Sequence, residues 1–152
     1  MNYYVLLKTL HILCAIIVLG TGTGIAWFTL RGWLSGDPRI MQWVSKETVK
    51  ADWIFTGSAV LGLLGSAAGM VAINPRWVQQ GWLQLAAGLT IMVLLLWLPV
   101  VYLQYQLRRH AGEEHNEPRM RKIMGAWCLL GIFAFPLTIA IVYLMVSKPL
   151  LW

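Results

Sequence analysis

The stretch "GSAVLGLLGSAAG", residues 57–69, carries no charged residue, and small residues recur along it at helical spacing. At about 100° per residue, five of them fall within one arc of about 100° on a helix. These are Ser58, Gly62, Gly65, Ser66 and Gly69. In membrane helices such a face lets a second helix, or a flat ligand, approach the backbone closely. The stretch therefore predicts a membrane helix, and we expect its small face to pack against another helix.

Three further stretches of the chain have the same apolar character. A helix needs about 20 apolar residues to cross the hydrocarbon of a bilayer, and four stretches are long enough: 3–30, 52–73, 78–105 and 123–146. Across all 152 residues, 59% of side chains are hydrophobic and only 12% are charged, against roughly 25% charged in soluble domains. We predict an all-α integral membrane protein, a four-helix bundle that forms one domain over residues 1–152.

Basic residues are concentrated in two of the loops between these spans. The two loops hold nine of the twelve Lys and Arg residues: Arg31, Arg39, Lys46, Lys50, Arg108, Arg109, Arg119, Arg121 and Lys122. The positive-inside rule then places both loops in the cytoplasm and both termini outside, in the periplasm. We expect a multi-pass protein of the cell inner membrane, whose net charge of +6 reflects topology and not nucleic-acid binding.

The two cytoplasmic loops carry signals of their own. In "GDPRI", Asp37 suits a helix N-cap with Pro38 at the first helical position, which predicts a short surface helix over about 38–50. In the other loop, His110 and His115 lie beside two glutamates, and we interpret this group as a solvated turn.

The first span contains polar residues that the membrane interior does not explain. "LLKTLHILC", residues 6–14, carries Lys8, His11 and Cys14. Ionisable groups within a span are costly and mark functional sites by default. His11 shares a helix face with Ala15 and Gly22, which suits a flat haem ring with His11 as its axial ligand.

The roles of these side chains have alternatives. Lys8 suits an anionic propionate or a catalytic role, but a lysine so near the helix end also snorkels to lipid phosphates. His11 equally suits a hydrogen bond to a neighbouring helix, through Gln84 or a backbone carbonyl. Cys14 is interpreted as a small packing residue.

A second ligand for a cofactor or metal is harder to assign. Met70 and Met145 end spans two and four on the same outer side as His11, so His/Met ligation of haem is one arrangement, and two copies of His11 in a homo-oligomer are another. His, Met and Cys also suit Cu(I), which makes copper handling an alternative function.

The glycines of span one suggest a third function. "GTGTG", residues 20–24, lacks the context of a dinucleotide-binding loop and is interpreted as a close-packing surface. With few polar residues in the spans, a non-catalytic membrane subunit that packs against a partner or itself is the remaining alternative.

The chain as a whole resembles a known family. The similarity rests on "LLKTLH" (6–11), "SGDP" (35–38), "ADWIFTG" (51–57), "LWLPVVYLQ" (96–104), "PRMRKIMGAWCLLGIFAF" (118–135) and "YLMVSKP" (143–149). On these segments it resembles the bacterial predicted integral membrane proteins grouped as domain of unknown function family 2269 (DUF2269). The family implies a membrane fold and no particular activity.

More distantly, the pattern is similar to two better understood groups of small membrane proteins. One is the HemJ-type protoporphyrinogen oxidase, which binds haem b; its Lys-x-x-His is matched by Lys8 and His11, and its closing Lys-Pro by Lys148 and Pro149. The other is the CopD-type copper-resistance domain. The HemJ resemblance implies haem b at His11, proton or electron handling by Lys8, and a membrane oxidoreductase role.

Overall fold

The computed structural model describes residues 2–111 and 117–150, and within these ranges the chain is almost wholly helical. The helices are α1 (Tyr3–Leu34), α2 (Pro38–Ala51), α3 (Ser58–Ile73), α4 (Gly81–His110) and α5 (Glu117–Ser147). Four helical stretches are long and apolar enough to cross a membrane: Tyr3–Leu34, Pro38–Ile73, Gly81–His110 and Pro118–Ser147. The predicted all-α architecture with four membrane spans is confirmed.

The segment predicted as a short surface helix is continuous with span two. A π-helical turn, Asp52–Gly57, joins α2 to α3, so that the chain stays helical from Pro38 to Ile73. Asp37 caps α2 as predicted, because its Oδ1 accepts the backbone N–H of Arg39 at 2.8 Å. One face of α2 is buried against α1 and α4, so this helix is a packing element of the bundle.

Helices α1 and α3 form a tightly packed antiparallel pair. A Cβ atom added to Gly62 would lie 2.7 Å from Cys14 Sγ, and one added to Gly69 would lie 3.0 Å from Leu7 Cδ1. The expected packing role is therefore confirmed for these two glycines and for Cys14. Gly65, predicted on the same face, has open space where a Cβ would stand.

Helices α4 and α5 form the second pair, and α2 connects the two pairs by packing on both α1 and α4. The hydrophobic core lies at this connection and consists of Ile25, Met41, Leu107, Ala111, Met120, Met124 and Trp127. Large apolar side chains elsewhere in the spans, such as Leu95 and Ile132, are exposed, as expected of surfaces that face lipid. We call the end of the bundle that holds this core the basic end.

The basic end differs from the sequence interpretation at one residue. His110 is buried at the end of α4, only 7% exposed, so the predicted solvated turn does not include its side chain. Its burial follows from the packing of the last turn of α4 within the core region. The rest of that predicted turn, with His115, lies outside the described residues.

The opposite end of the bundle, which we call the terminal end, brings three parts of the chain together. The ring of Tyr4 meets that of Trp77 at 5.5 Å between centroids, and Trp77 meets Trp82 at 6.4 Å. Lys148, just after α5, lies against the same tryptophans. The start of α1, the 74–80 connection and Lys148 therefore share one end of the bundle, as four crossings require.

Candidate functional site

The imidazole of His11 is anchored to the neighbouring helix. Its Nδ1 lies 3.1 Å from the carbonyl oxygen of Leu63 and 3.1 Å from Ser66 Oγ. A carbonyl oxygen can only accept a hydrogen bond, so Nδ1 carries the proton and donates it. Nε2 of the neutral ring is then left with its lone pair, which is the state of a histidine that ligates a metal through Nε2.

Ser66 determines this geometry from α3. Its side chain is 2% exposed, and its hydroxyl donates to the carbonyl of Gly62 at 2.6 Å. With its proton used in this way, the hydroxyl oxygen accepts from His11 Nδ1. The glycine at 62 lets α1 approach closely enough for this contact, and the His11 ring remains half-buried. The hydrogen bond to a neighbouring helix, one of the two predicted roles, is thus present.

The helix face below His11 is only partly covered. Ala15, one turn further into the span, is half-buried, and Gly22 is exposed. No atom lies within 4 Å of where a Cβ on Gly22 would stand. Lys8, one turn nearer the terminal end, is exposed. The part of α1 predicted to lie against a flat ring is thus half-buried at Ala15 and open at Gly22.

The remaining predicted ligands are distributed over both helix pairs. Met70 is buried one turn beyond Ser66 on α3, so it belongs to the same pair as His11. Met145 is half-buried on α5, whose main packing partner is α4. No group of three or more His, Cys, Asp or Glu side chains that could hold a metal ion occurs in the described part of the chain.

Lys148 occupies a defined position at the terminal end. Its ammonium nitrogen lies 5.4 Å from the ring centroid of Trp77 and 5.5 Å from that of Trp82, within range of a cation–π interaction. Its backbone has a positive φ of 43°, and its N–H donates to the Leu144 carbonyl at 3.0 Å. This left-handed residue ends α5 and directs the side chain over the tryptophans.

Sequence reasoning missed Asp52 as a site residue. Asp52 is 4% exposed inside a membrane-spanning helix, and its Oδ2 accepts the indole N–H of Trp97 at 3.2 Å. It lies in the π-helical turn, a distortion that is frequent at functional sites. The signal was available, because an acidic residue opens the apolar run "ADWIFTG". Along the helix axis it is about 21 Å from Ser66, so it forms a site separate from His11.

The interior near Asp52 is more polar than the rest of the bundle. Thr29, Ser45 and Gln104 are each at least 95% buried, toward the basic end of their helices. An oxygen atom of each has no hydrogen-bond partner in residues 2–111 and 117–150. Buried polar atoms without partners are costly. In the described part of the chain, the buried polar side chains lie at two depths, near His11 and near the basic end.

The fold and these polar sites define a polytopic helical membrane protein with two pairs of helices. The family model described as "Predicted integral membrane protein (DUF2269)" matches residues 5–149. The chain belongs to this family, as the sequence segments quoted above indicated. No curated protein and no solved structure matches the chain.

Proposed function

We propose that this integral membrane protein binds haem b, or a related porphyrin, with His11 as an axial ligand, and has a redox or cofactor-handling role in the cell inner membrane. The observation that carries the proposal is the hydrogen bond from His11 Nδ1 to Leu63, which leaves Nε2 as a free lone pair. A second partner that fixes the tautomer and orients the ring is what a ligating histidine requires.

The surroundings of His11 are compatible with a flat, amphipathic cofactor. Ala15 and Gly22 leave space along α1 for a ring, and Lys8 stands one turn nearer the terminal end as a cation for a propionate. Lys148 is a second cation at the same end. Bound haem supplies one-electron chemistry, and the protein sets its potential through axial ligands, burial and hydrogen bonds.

The decisive experiment is a visible spectrum of the purified protein and of two His11 variants. His11→Asn keeps an amide donor near the Nδ1 position, so the bond to Leu63 is retained while the Nε2 ligand is lost. His11→Ala loses both. We expect a Soret band in the wild type and its loss in both variants. Thermal stability should be close to that of the haem-free wild type in His11→Asn only.

A matched control is available one turn along the same helix. Cys14 also faces α3, so Cys14→Ser tests whether any polar change at the α1–α3 contact removes the absorption; we expect the band to persist. A folded, colourless wild type from haem-replete cells would refute haem binding, and a Soret band that survives His11→Asn would refute His11 as the axial ligand.

Copper is a rival occupant of the same imidazole, with Met70 and Met145 as the soft ligands predicted for it. Metal analysis of the sample used for the spectrum separates the two. If copper handling is the function, the protein carries copper without a Soret band, and the content falls in His11→Asn. Unchanged copper content after replacement of His11 and both methionines rules this function out.

A non-catalytic membrane subunit is the second candidate function, and one observation favours it. Gly20 and Gly24, one turn apart on the same side of α1, each have open space where a Cβ would stand. Both belong to the predicted close-packing surface, yet no neighbouring helix of the described chain contacts them there, which leaves this side of α1 open to a partner or a second copy. Cross-linking through Gly20→Cys in native membranes tests this; a chain that stays monomeric at every loading excludes it.

A further inference from the structure

A cleft of about 440 Å³ opens at the basic end of the bundle. It is lined by Arg39, Gln42, Trp43 and Lys46 of α2 and by Arg108 of α4. We call it the basic cleft. Its volume lies within the range typical of small-molecule sites, about 300–1,000 Å³.

The helix geometry explains why these side chains converge. The four α2 residues follow the i, i+3, i+4, i+7 pattern, which places them on one face of the helix. Because α4 packs on α2, its last turn brings Arg108 to the same face. Three cations from two helices therefore surround one concave surface.

The charge of the basic cleft is not compensated by acidic residues of the described chain. Lys50 pairs with Glu47 at 2.8 Å, outside the cleft. The carboxylate of Asp37 caps the first turn of α2. Neither Arg39, Lys46 nor Arg108 has a carboxylate partner within the described ranges, so the cleft has the charge that an anion requires.

The level of the basic cleft relative to a bilayer follows from its aromatic residues. The indole of Trp43, part of the lining, is 66% exposed. Tryptophan is enriched at membrane–water interfaces, where its ring sits at the headgroup level. The cleft is therefore at the depth of lipid phosphates, next to the spans and not out in the aqueous phase.

We propose that the basic cleft binds the phosphodiester headgroup of an anionic phospholipid. Arg39 and Arg108 donate to its phosphate oxygens, and Lys46 contributes a third positive charge. Gln42 provides an uncharged donor for the headgroup, and Trp43 packs against the glycerol and the start of an acyl chain. Guanidinium groups suit phosphate because they donate two parallel hydrogen bonds. The proposal does not depend on a cofactor at His11.

The test titrates the detergent-purified full-length protein with phosphatidylglycerol or with zwitterionic phosphatidylcholine. Native mass spectrometry measures how much of each lipid the protein retains. We expect preferential binding of phosphatidylglycerol. At about a five-fold effect for each cation near the headgroup, Arg39→Gln with Arg108→Gln weakens this binding about 25-fold. The charge-preserving pair Arg39→Lys with Arg108→Lys retains most of it. Helical circular dichroism confirms that each variant is folded.

The matched control removes two cations of the same end that do not line the basic cleft. Arg31 and Arg119 are both exposed, and the paired change to Gln lowers the net charge equally. We expect this control to retain phosphatidylglycerol like the wild type. Equal weakening in both pairs would refute a specific cleft, because general surface attraction would then account for the binding. Inorganic phosphate is the third arm: if it displaces the lipid at millimolar concentration, the site recognises the free ion and the lipid proposal fails.

Discussion

Replacing Gly62 by alanine perturbs the closest approach between α1 and α3. The added Cβ would lie 2.7 Å from Cys14 Sγ, about 1 Å inside an ordinary van der Waals separation. Such overpacking costs about 1–3 kcal/mol. Removing a glycine from a helix offsets this by about 0.8–1 kcal/mol. We therefore expect Gly62→Ala to range from neutral to destabilising by about 2 kcal/mol.

The difference in the free energy of unfolding between Gly62→Ala and a matched glycine variant is more informative than either value alone. Gly65→Ala lies one turn along the same helix, where no atom stands within 4 Å of the new Cβ, so only the gain in helix propensity remains. The two variants should differ by about 1–3 kcal/mol. For a chain of this size, that corresponds to about 2–12 °C in the midpoint of thermal unfolding, measured by tryptophan fluorescence in detergent.

The mechanism is tested by removing the atom that clashes. In a Cys14→Ala background the Sγ atom is absent, so adding Gly62→Ala should no longer lower the midpoint. A double-mutant cycle then gives a coupling free energy of about 1–3 kcal/mol. Equal midpoints for Gly62→Ala and Gly65→Ala, or a cycle with no coupling, would refute the described packing of α1 on α3.

Three further changes probe contacts outside this pair, each by the same unfolding measurement. Trp97→Phe removes the hydrogen bond to Asp52 and leaves a buried carboxyl oxygen without its donor, so we expect a loss of about 1–3 kcal/mol; in an Asp52→Ala background, which has no acceptor, the loss should be smaller. Lys148→Met keeps the side-chain length but removes the cation over Trp77, with an expected loss of about 0.5–1 kcal/mol. High salt should not lower the stability of this variant, because the cation is already absent. Asp37→Ala removes the cap of α2 and should cost about 1 kcal/mol, whereas Asp37→Ser should largely retain stability.

The number of spans and the small-residue face were predictable because both depend on local sequence. Four apolar runs of sufficient length leave little choice of fold in a bilayer, where every backbone group must be satisfied within a helix. The spacing of Gly62 and Gly69 identified which side of α3 would be approached closely. It did not identify α1 as the neighbour, since helix pairing depends on matching surfaces far apart in the sequence.

The candidate sites were predictable only in part. His11 and Lys8 stood out because they are ionisable groups in an apolar run, but the partner of His11 was not predictable, since Leu63 contributes a backbone carbonyl that carries no sequence signal. Asp52 was overlooked because it lies near the expected start of span two, where a charged residue is unremarkable. Its burial arises from the unbroken helix through residue 52 and from α4, which brings Trp97 against it.

The hydrogen bonds of His11 to Leu63 and of Asp52 to Trp97 have different consequences for function. They differ in which polar atoms of the side chain remain available to a ligand. In lipid, hydrogen bonds between helices help to hold the bundle together, and both His11 and Asp52 make one. Asp52 needs its bond to Trp97 to offset the burial of a carboxylate. His11 meets its structural role with Nδ1 alone, so Nε2 is available to a ligand at no cost to the α1–α3 contact. A histidine that holds two helices with one nitrogen can gain or lose a cofactor at the other while the pair stays assembled, which is why His11→Asn separates the two roles.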